Sequence, residues 1–292
     1  MTITAKQVKE LREMTGVGMM ECKKALVQVD GDMDAAVELM RKSGQAKAAK
    51  KAAGIAAEGI VVMALNDDGK QAAMIEVNCE TDFVAREKAF VSFAQDVADL
   101  ALAHCSADLD ALNALSMADG RSVDEARQAL VTTIGENIRI RRVQLIKASG
   151  VLGDYLHGVR IGVLVSLSED NQELARDIAM HVAAARPEVV AGSDVSQQLI
   201  DKEKEIFTAQ ALDSGKPPEI VEKMVGGRIK KFLREISLLG QPFVKDPNQT
   251  VEQLLKAKQA SVEGFIRFEV GEGIEKKQDN FVEDVRAQVQ GN

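Results

Sequence analysis

The residues best suited to chemistry in this 292-residue chain are few and widely separated. Three cysteines and three histidines occur singly, at Cys22, Cys79, Cys105, His104, His157 and His181. No two cysteines have the C-x-x-C spacing of a zinc or redox site, and no two histidines have the H-E-x-x-H spacing of a zinc hydrolase. His181 lies in the apolar helical stretch IAMHVAAA, which favours a packed core histidine over a ligand. These spacings predict no metal site and no bound cofactor.

Two glycine-containing stretches match nucleotide-binding loops only in part. Gly215-Lys216 is followed by Pro217, whereas a P-loop needs Ser or Thr after its lysine. Gly271 and Gly273 begin a dinucleotide-binding pattern, but the third glycine and the following helix are missing. We therefore expect a binding protein and not an enzyme. A hydrolase remains as an alternative, because a Ser–His–Asp triad is assembled in space and leaves no fixed spacing.

Charge is distributed unevenly along the chain. The net charge is -8, which disfavours a general binder of nucleic acid or of anionic membranes. Aromatic residues make up only 3%, too few for the stacking platforms that bind single-stranded nucleic acid. Residues 1–54 nevertheless carry ten Lys or Arg and seven Asp or Glu. This basic N-terminal part suggests a protein partner with an acidic patch, although an ordinary solvated surface has the same composition.

The chain shows no targeting or membrane-spanning pattern. Its first residues, MTITAKQVKE, lack the apolar run of a signal peptide. No stretch approaches the ~18 apolar residues needed to span a bilayer. We therefore expect a soluble cytoplasmic protein with reduced thiols.

The elements that must position any functional residues change in type along the first half. Apolar spacing predicts three short helices within 4–44, with a capping box between Thr4 and Gln7 and a helix end at Gly44. The Ala/Lys-rich stretch 45–58 is typical of a linker with helical tendency. The patterns that follow predict strands at 59–65, 70–79 and 137–148, and helices at 84–103 and 122–134.

The second half loosely repeats this order of strand and helix. We expect a strand in 157–170, a helix at 171–185 and a later strand at 261–273. Between them, residues 194–238 predict a protruding antiparallel helical hairpin, with a tight stop at 214–217. Its expected apolar faces consist of Leu199, Ile206 and Leu212 on the first helix, and Ile220, Met224, Phe232 and Ile236 on the second.

Together these elements predict an α+β protein of five parts, with antiparallel sheets that carry helices on one face. The parts are a helical N-terminal domain at 1–54, a core N-terminal subdomain at 55–148, a core C-terminal subdomain at 149–193 and 239–275, the hairpin insertion at 194–238, and a C-terminal module with one helix at 276–292.

Six segments, in this order along the chain, resemble the elongation factor Ts family of bacteria. They are LREMTGVGMMECKKAL at 11–26, EVNCETDFVARE at 76–87, IGENIRIRR at 134–142, HGVRIGVLV at 157–165, KMVGGRIKKFLREISLLGQPFVKDP at 223–247 and GFIRFEVGEGIEK at 264–276. The resemblance implies a ubiquitin-associated-like three-helix N-terminal domain, a two-part core, a helical-hairpin (coiled-coil) insertion and a C-terminal helix.

The resemblance also implies a function in translation elongation during protein biosynthesis. Members of the family bind GDP-bound elongation factor Tu and act as guanine nucleotide exchange factors, without making or breaking a bond. The implied partner is thus another protein, with no direct contact to nucleic acid or membrane. A homodimer, or a complex with two copies of each protein, is compatible with the family. The alternative from another class is a ubiquitin-like-binding adaptor, which the N-terminal helices alone suggest.

The resemblance assigns the central role to the corner Thr81-Asp82-Phe83-Val84. In the family this corner inserts into the GTPase domain of the partner and displaces the Mg²⁺ beside the nucleotide. A purely structural role is the alternative, in which Thr81 or Asp82 caps the following helix and Phe83 packs in the core. A wedge for the partner should be exposed in the free protein. The neighbouring Cys79 is expected to be a buried structural thiol.

Further contacts are implied with less specific motifs. Met19, Met20 and Lys23 match the face that docks on the partner's GTPase domain, although a Met pair is also common in a core. His157 matches a contact with the partner's third domain, with a turn histidine bonded to its own backbone as the alternative. Val244 matches a similar contact with the partner, with ordinary packing within the chain as the alternative. Some relatives have Met in place of Lys245, so an apolar contact at that position is not implied for this chain.

Overall fold

Three helices form the N-terminal part of the computed structural model, which describes residues 3–15, 17–212 and 217–275. They are α1 (Ala5–Thr15), α2 (Met19–Gln28) and α3 (Met33–Lys51). The predicted capping box is confirmed, because the Gln7 amide donates to Thr4 Oγ1 and the Thr4 amide donates to Gln7 Oε1. The helices enclose a small core of their own that includes Leu11, Cys22 and Leu26.

The helix end predicted at Gly44 is wrong, since α3 continues through the Ala/Lys-rich stretch to Lys51. Glycine lowers helix stability by only ~1 kcal/mol relative to alanine, so packing can override it. Here Thr132 Oγ1 donates to the Gly44 carbonyl. A Cβ added at Gly44 would lie 3.1 Å from Thr132 Oγ1. Gly44 therefore permits a close helix contact, while Ala48 is buried in the core of the first sheet.

The first sheet is antiparallel, with strand order β1-β2-β3. Its strands are β1 (Glu58–Leu65), β2 (Gln71–Cys79) and β3 (Arg139–Lys147), and its helices are α4 (Lys88–Ala103), α5 (Leu109–Ala114) and α6 (Val123–Ile134). Phe90, Phe93 and Val97 of α4 are buried in the core that covers one face of this sheet. The three strands and α6 follow the prediction, whereas α5 was missed because six residues are too few for a periodic pattern.

The helix predicted at 84–103 is divided in two. Val84–Arg86 forms a single 3-10 turn, and Glu87 then adopts an extended conformation (φ -65, ψ 131) before α4 begins. The 3-10 turn begins at Val84, the last residue of the corner Thr81-Asp82-Phe83-Val84.

The second sheet repeats the plan with strand order β4-β5-β8. Its elements are β4 (Val151–His157), β5 (Ile161–Leu167), the covering helix α7 (Gln172–Ala185) and β8 (Val262–Glu269). β4 was missed, because the Gly and Asp within VLGDYLH are depleted in strands. Gly153 is required there, since a Cβ would lie 2.2 Å from the Ala175 carbonyl carbon of α7.

The two sheets pack face to face through their remaining sides. Val61 and Met74 of the first sheet meet Leu152, Leu164 and Phe268 of the second in one apolar cluster. The helices lie outside, so the body is a layered α+β structure as expected.

Between the two sheets, the buried carboxylate of Glu76 connects β2 to the turn after β8. Glu76 has no exposed surface and accepts hydrogen bonds from Arg142 Nε (2.6 Å), Arg141 Nη1 (3.0 Å), Asn78 Nδ2 (3.0 Å) and the Gly271 amide (2.8 Å). Burial alone raises the pKa of Glu76, but these donors outweigh it and hold the pKa below its ordinary value. Glu76 thereby joins β2, β3 and the turn after β8.

The helical hairpin consists of α8 (Gln197–Leu212) and α9 (Pro218–Ile236). Its core contains Ala211, Val221 and Val225. The predicted inward positions Ile206, Leu212 and Ile220 are wrong, since all three are exposed. Phe207 and Ile229 pack against this core, and Phe207 meets Phe232 edge to face at 6.4 Å between ring centroids. The other predicted inward positions, Leu199, Met224, Phe232 and Ile236, are half-buried. Residues 214–216 of the stop predicted at 214–217 lie outside the described residues, as does the helix predicted within 276–292.

Short elements connect the hairpin to the second sheet. They are β6 (Pro242–Phe243), β7 (Asp246–Thr250) and α10 (Val251–Ala257). Among the described residues, no helix is both long and apolar enough to cross a membrane.

Candidate functional site

The carboxylate of Glu136 holds the start of the corner after β2 by hydrogen bonds. Glu136, in the turn after α6, accepts hydrogen bonds at Oε2 from the amides of Glu80 (3.1 Å) and Thr81 (3.0 Å). Its Oε1 accepts a third from Thr81 Oγ1 (2.7 Å). Thr81 Oγ1 also accepts from the Val84 amide, but at 3.4 Å, longer than its 2.7 Å bond to Glu136. Its role as a helix cap is therefore secondary to its bond with Glu136.

Cys79 fixes the same corner from the strand side. It is fully buried, as predicted, and its thiol donates to the Thr81 carbonyl at 3.1 Å. Burial, together with the negative charges of Glu136 and Glu58, raises the pKa of Cys79 to about 12. The thiol therefore stays protonated and unreactive at neutral pH.

Phe83 projects from this corner into solvent. It is 79% exposed, the highest exposure among the large apolar side chains of the described residues. The core alternative for Phe83 is therefore wrong. Val84, in contrast, is buried in the first core, so its side chain supports the corner from within.

Asp82 lies beside Phe83 at the surface. Its carboxylate pairs with Arg86 at 3.0 Å, and both side chains are largely exposed. Such an exposed pair contributes little to stability and can exchange its partner readily. Of the four corner residues, Asp82 and Phe83 thus present the most accessible side chains.

The N-terminal candidates also lie at the surface. Met19 and Met20, in the first turn of α2, are exposed, and Lys23 is exposed as well. Cys22 and Leu26 of the same helix face inward. The core alternative for the Met pair is therefore wrong.

His157 ends β4 and is exposed. Its Nδ1 lies 3.2 Å from the Tyr155 hydroxyl, so its bond is to a side chain and not to its own backbone as the alternative had it. The pair forms a small polar and aromatic patch at the tip of the β4–β5 hairpin.

Val244 is exposed and is held by a buried histidine. Its amide donates to His181 Nδ1 at 3.1 Å, which leaves Nε2 of His181 to donate to Gln241 Oε1 at 3.0 Å. His181 is thus a neutral core histidine, as predicted, and burial lowers its pKa. Its support of the Val244 loop was missed, because the two residues are far apart in the sequence.

We expect mild acid to loosen this loop. The pKa of His181 in the folded chain lies below the ordinary 6.5, so its stabilising effect is complete above 6.5 and is lost as the pH falls further. Between about pH 7.5 and about pH 5.5, the melting temperature of the wild type should fall more than that of His181→Gln, which has no imidazole to protonate. Equal decreases in the two proteins would contradict this role.

Within the described residues, no group of three His, Cys, Asp or Glu side chains is placed to hold a metal ion. Cys22 and Cys79 are buried and Cys105 is exposed, and all three are free thiols. The prominent surface feature of the corner is thus an exposed apolar side chain on a backbone held by hydrogen bonds.

The chain is similar to known proteins over nearly its whole length. A family model described as Elongation factor TS matches residues 80–272. The chain is 60% identical to Elongation factor Ts of Thioalkalivibrio sulfidiphilus and 57% identical to that of Methylococcus capsulatus, in each case over 100% of both chains. It is 56% identical to Elongation factor Ts of Legionella pneumophila (strain Lens) over 99% of both chains. The chain therefore belongs to the elongation factor Ts family of translation elongation factors.

Proposed function

We propose that this chain binds the GDP-bound form of elongation factor Tu and promotes release of GDP, so that GTP can bind. The observation that carries the proposal is Phe83, an aromatic side chain that is 79% exposed on a corner fixed by hydrogen bonds. Exposed aromatic residues held on rigid elements are typical anchors of protein interfaces. The family resemblance names the partner for which this anchor would serve.

The corner would act on the Mg²⁺ beside the nucleotide. Magnesium demands near-ideal octahedral coordination, so small shifts of its ligands weaken its binding. Phe83 supplies apolar bulk that can separate packed elements of the partner. Asp82 supplies a carboxylate that can leave its exposed bond with Arg86 and compete for donors in the partner.

The process requires no bond-making chemistry, and on this proposal the chain is not an enzyme. If binding of the chain weakens binding of GDP, then GDP weakens binding of the chain by the same factor. The complex of the three is therefore a transient intermediate. Either GDP or the chain can leave it, and incoming GTP completes the exchange.

Other exposed residues would complete the interface. Met19, Met20 and Lys23 offer an adaptable apolar and basic surface on α2, suited to an acidic partner surface. His157 and Val244 lie on the tips of two separate loops of the second sheet's half, and we propose that they contact another domain of the partner.

Competition with Mg²⁺ tests the proposal. We expect the chain to accelerate GDP release from purified elongation factor Tu less as free Mg²⁺ is raised, because metal and corner compete for one region. A monovalent salt at matched ionic strength is the control for screening of surface charge. Acceleration that does not depend on Mg²⁺ would contradict the displacement step. Failure of the immobilised chain to capture elongation factor Tu from a bacterial lysate would contradict the partner, and would favour the adaptor alternative.

The hairpin should be dispensable for part of this activity. Its core of Ala211, Val221 and Val225 is separate from the sheet cores, and it lies apart from the corner in the sequence. We expect that replacing residues 197–233 with a short Gly/Ser loop preserves the fold and a measurable part of the stimulated GDP release. The segment from Arg234 onward is kept, because Gln241 Nε2 donates to the Glu235 carbonyl at 2.6 Å. Complete loss of stimulation in a folded variant would make the hairpin part of the exchange mechanism.

A further inference from the structure

The turn at Gly135-Glu136-Asn137 is the part of the IGENIRIRR motif that the proposed function leaves without a role. We propose that Glu136 is a positioning residue, whose carboxylate fixes the start of the corner 81–84 so that Phe83 and Asp82 are presented to the partner. This inference rests on the proposed exchange function and assigns a residue that acts on the corner without touching the partner.

The local structure brings Glu136 under the corner. Gly135 ends α6 in the left-handed conformation (φ 87), which reverses the chain and turns Glu136 towards the end of β2. Glu136 then accepts three hydrogen bonds from Glu80 and Thr81, at 2.7 to 3.1 Å. Charge-assisted bonds of this kind are stronger than bonds between neutral groups.

A second carboxylate makes the connection reciprocal. Glu80 Oε1 accepts from the Asn137 amide at 2.7 Å, so each turn supplies a carboxylate to the backbone of the other. Two turns that are 55 residues apart in the sequence are thereby joined by four hydrogen bonds. Rotation of the corner about the end of β2 would break several of them together.

The exposure of Phe83 explains why such support is needed. A side chain that is 79% exposed has little packing of its own to define its position. If the backbone beneath it were mobile, ordering that backbone would oppose binding of the partner. Glu136 removes this cost in advance, because it holds the Glu80 and Thr81 amides in the free protein.

The same turn also holds the end of the N-terminal helices. Asn137 Nδ2 donates to the Gly54 carbonyl at 2.8 Å and lies 3.4 Å from the Ala52 carbonyl, directly after α3. The turn 135–137 is therefore a common anchor for the corner and for the helices that carry Met19 and Met20. This shared anchor fixes the spacing between two surfaces proposed to bind one partner.

Three substitutions at Glu136 separate positioning from charge. Glu136→Gln keeps the length of the side chain, and its carbonyl can accept both amides while its NH₂ donates to Thr81 Oγ1. Glu136→Asp keeps the charge but is one methylene too short to reach both residues. Glu136→Ala removes both properties. Each full-length variant is compared with the wild type and with Phe83→Ala in labelled-GDP release from elongation factor Tu.

We expect maximal stimulated release to fall about 5- to 10-fold in Glu136→Ala and Glu136→Asp, and to stay within about 3-fold of wild type in Glu136→Gln. Amide hydrogen exchange provides a readout that does not depend on activity. The Thr81 amide should exchange at least about 10-fold faster in Glu136→Ala, while the amide of Val77 within β2 stays protected.

Five outcomes would contradict one of the two proposals. An active Asp variant with an inactive Gln variant would show that charge and not geometry is required, and would overturn the inference. So would unchanged Thr81 exchange, or unchanged release in all three folded variants while Phe83→Ala is impaired. Global unfolding of Glu136→Ala, with Glu136→Gln equally inactive at wild-type stability, would overturn it as well. Failure of the wild type itself to stimulate release would instead refute the proposed function.

Discussion

Phe83→Ala is expected to reduce stimulated GDP release at least ~10-fold while leaving the melting temperature close to that of the wild type. A tenfold effect corresponds to ~1.4 kcal/mol of barrier. The small stability effect follows from the exposure of Phe83, since truncation there removes little buried surface and leaves no cavity.

Phe90→Ala is the matched control for this substitution. Phe90 is the same residue type seven positions later, but it is fully buried in the first core. Its truncation should lower the free energy of unfolding by ~3–5 kcal/mol, as is usual for buried Phe. Asp82→Ala should resemble Phe83→Ala, with slower release and little change in stability, because Asp82 forms an exposed pair with Arg86. A Phe83→Ala variant that melts normally and stimulates release at the wild-type rate would remove the corner from the mechanism.

Glu76→Ala should be the most destabilising of the proposed substitutions outside the apolar core. It would leave the guanidinium groups of Arg141 and Arg142 and the Gly271 amide without their shared acceptor. Removing one partner of a buried ion pair typically costs 3–5 kcal/mol, and the partial exposure of both arginines places the expected loss near ~3 kcal/mol. Chemical denaturation of wild type and variant measures this difference.

The acid dependence of stability gives a second check on Glu76. Its pKa in the folded chain is below the ordinary 4.5, so its stabilisation is present above that value and is lost as the pH falls below it. Glu76→Ala should therefore lose less stability than the wild type over this acid range. Glu38→Ala, which removes an exposed partner of Lys42, should leave the melting temperature nearly unchanged. Equal stability of Glu76→Ala and wild type would contradict the role of Glu76 in joining the sheets.

The sequence revealed local structure well wherever the pattern and the turn agreed. β1 and β2 were predictable because two short, mostly apolar runs flank the turn Asn66–Gly69, in which the Asn66 side chain accepts from the Lys70 and Gln71 amides. The capping box at Thr4 and Gln7 was predictable for the same reason. In both cases the interacting groups are within five residues of each other.

The missed features depend on contacts between distant residues. Gly44 reads as a helix end, but its proximity to Thr132 makes it a site of helix packing. β4 contains Gly153, which is unfavourable in a strand until the approach of α7 requires it. In the hairpin, the small Ala211 is buried against the facing helix while its larger neighbour Leu212 is exposed, which apolar spacing alone does not indicate.

The residues of the candidate site likewise fall into those that the sequence indicated and those that it did not. The family resemblance identified Phe83 and Asp82, and the exposure of Phe83 is as expected for a partner wedge. It did not indicate that Val84 faces inward, that Glu136 supports the corner, or that His181 holds Val244. Each of these depends on the approach of segments that are distant in sequence, or on the direction of a side chain at a turn, neither of which apolar periodicity encodes.

The most direct test of the account is a stopped-flow measurement of labelled GDP dissociating from elongation factor Tu, with and without the wild-type chain, at constant free Mg²⁺. We expect dissociation of GDP to become at least ~10-fold faster as the chain is added, and the rate to saturate with the concentration of the chain. If the two proteins form a stable complex while GDP still leaves at the rate of elongation factor Tu alone, the proposed exchange function is contradicted.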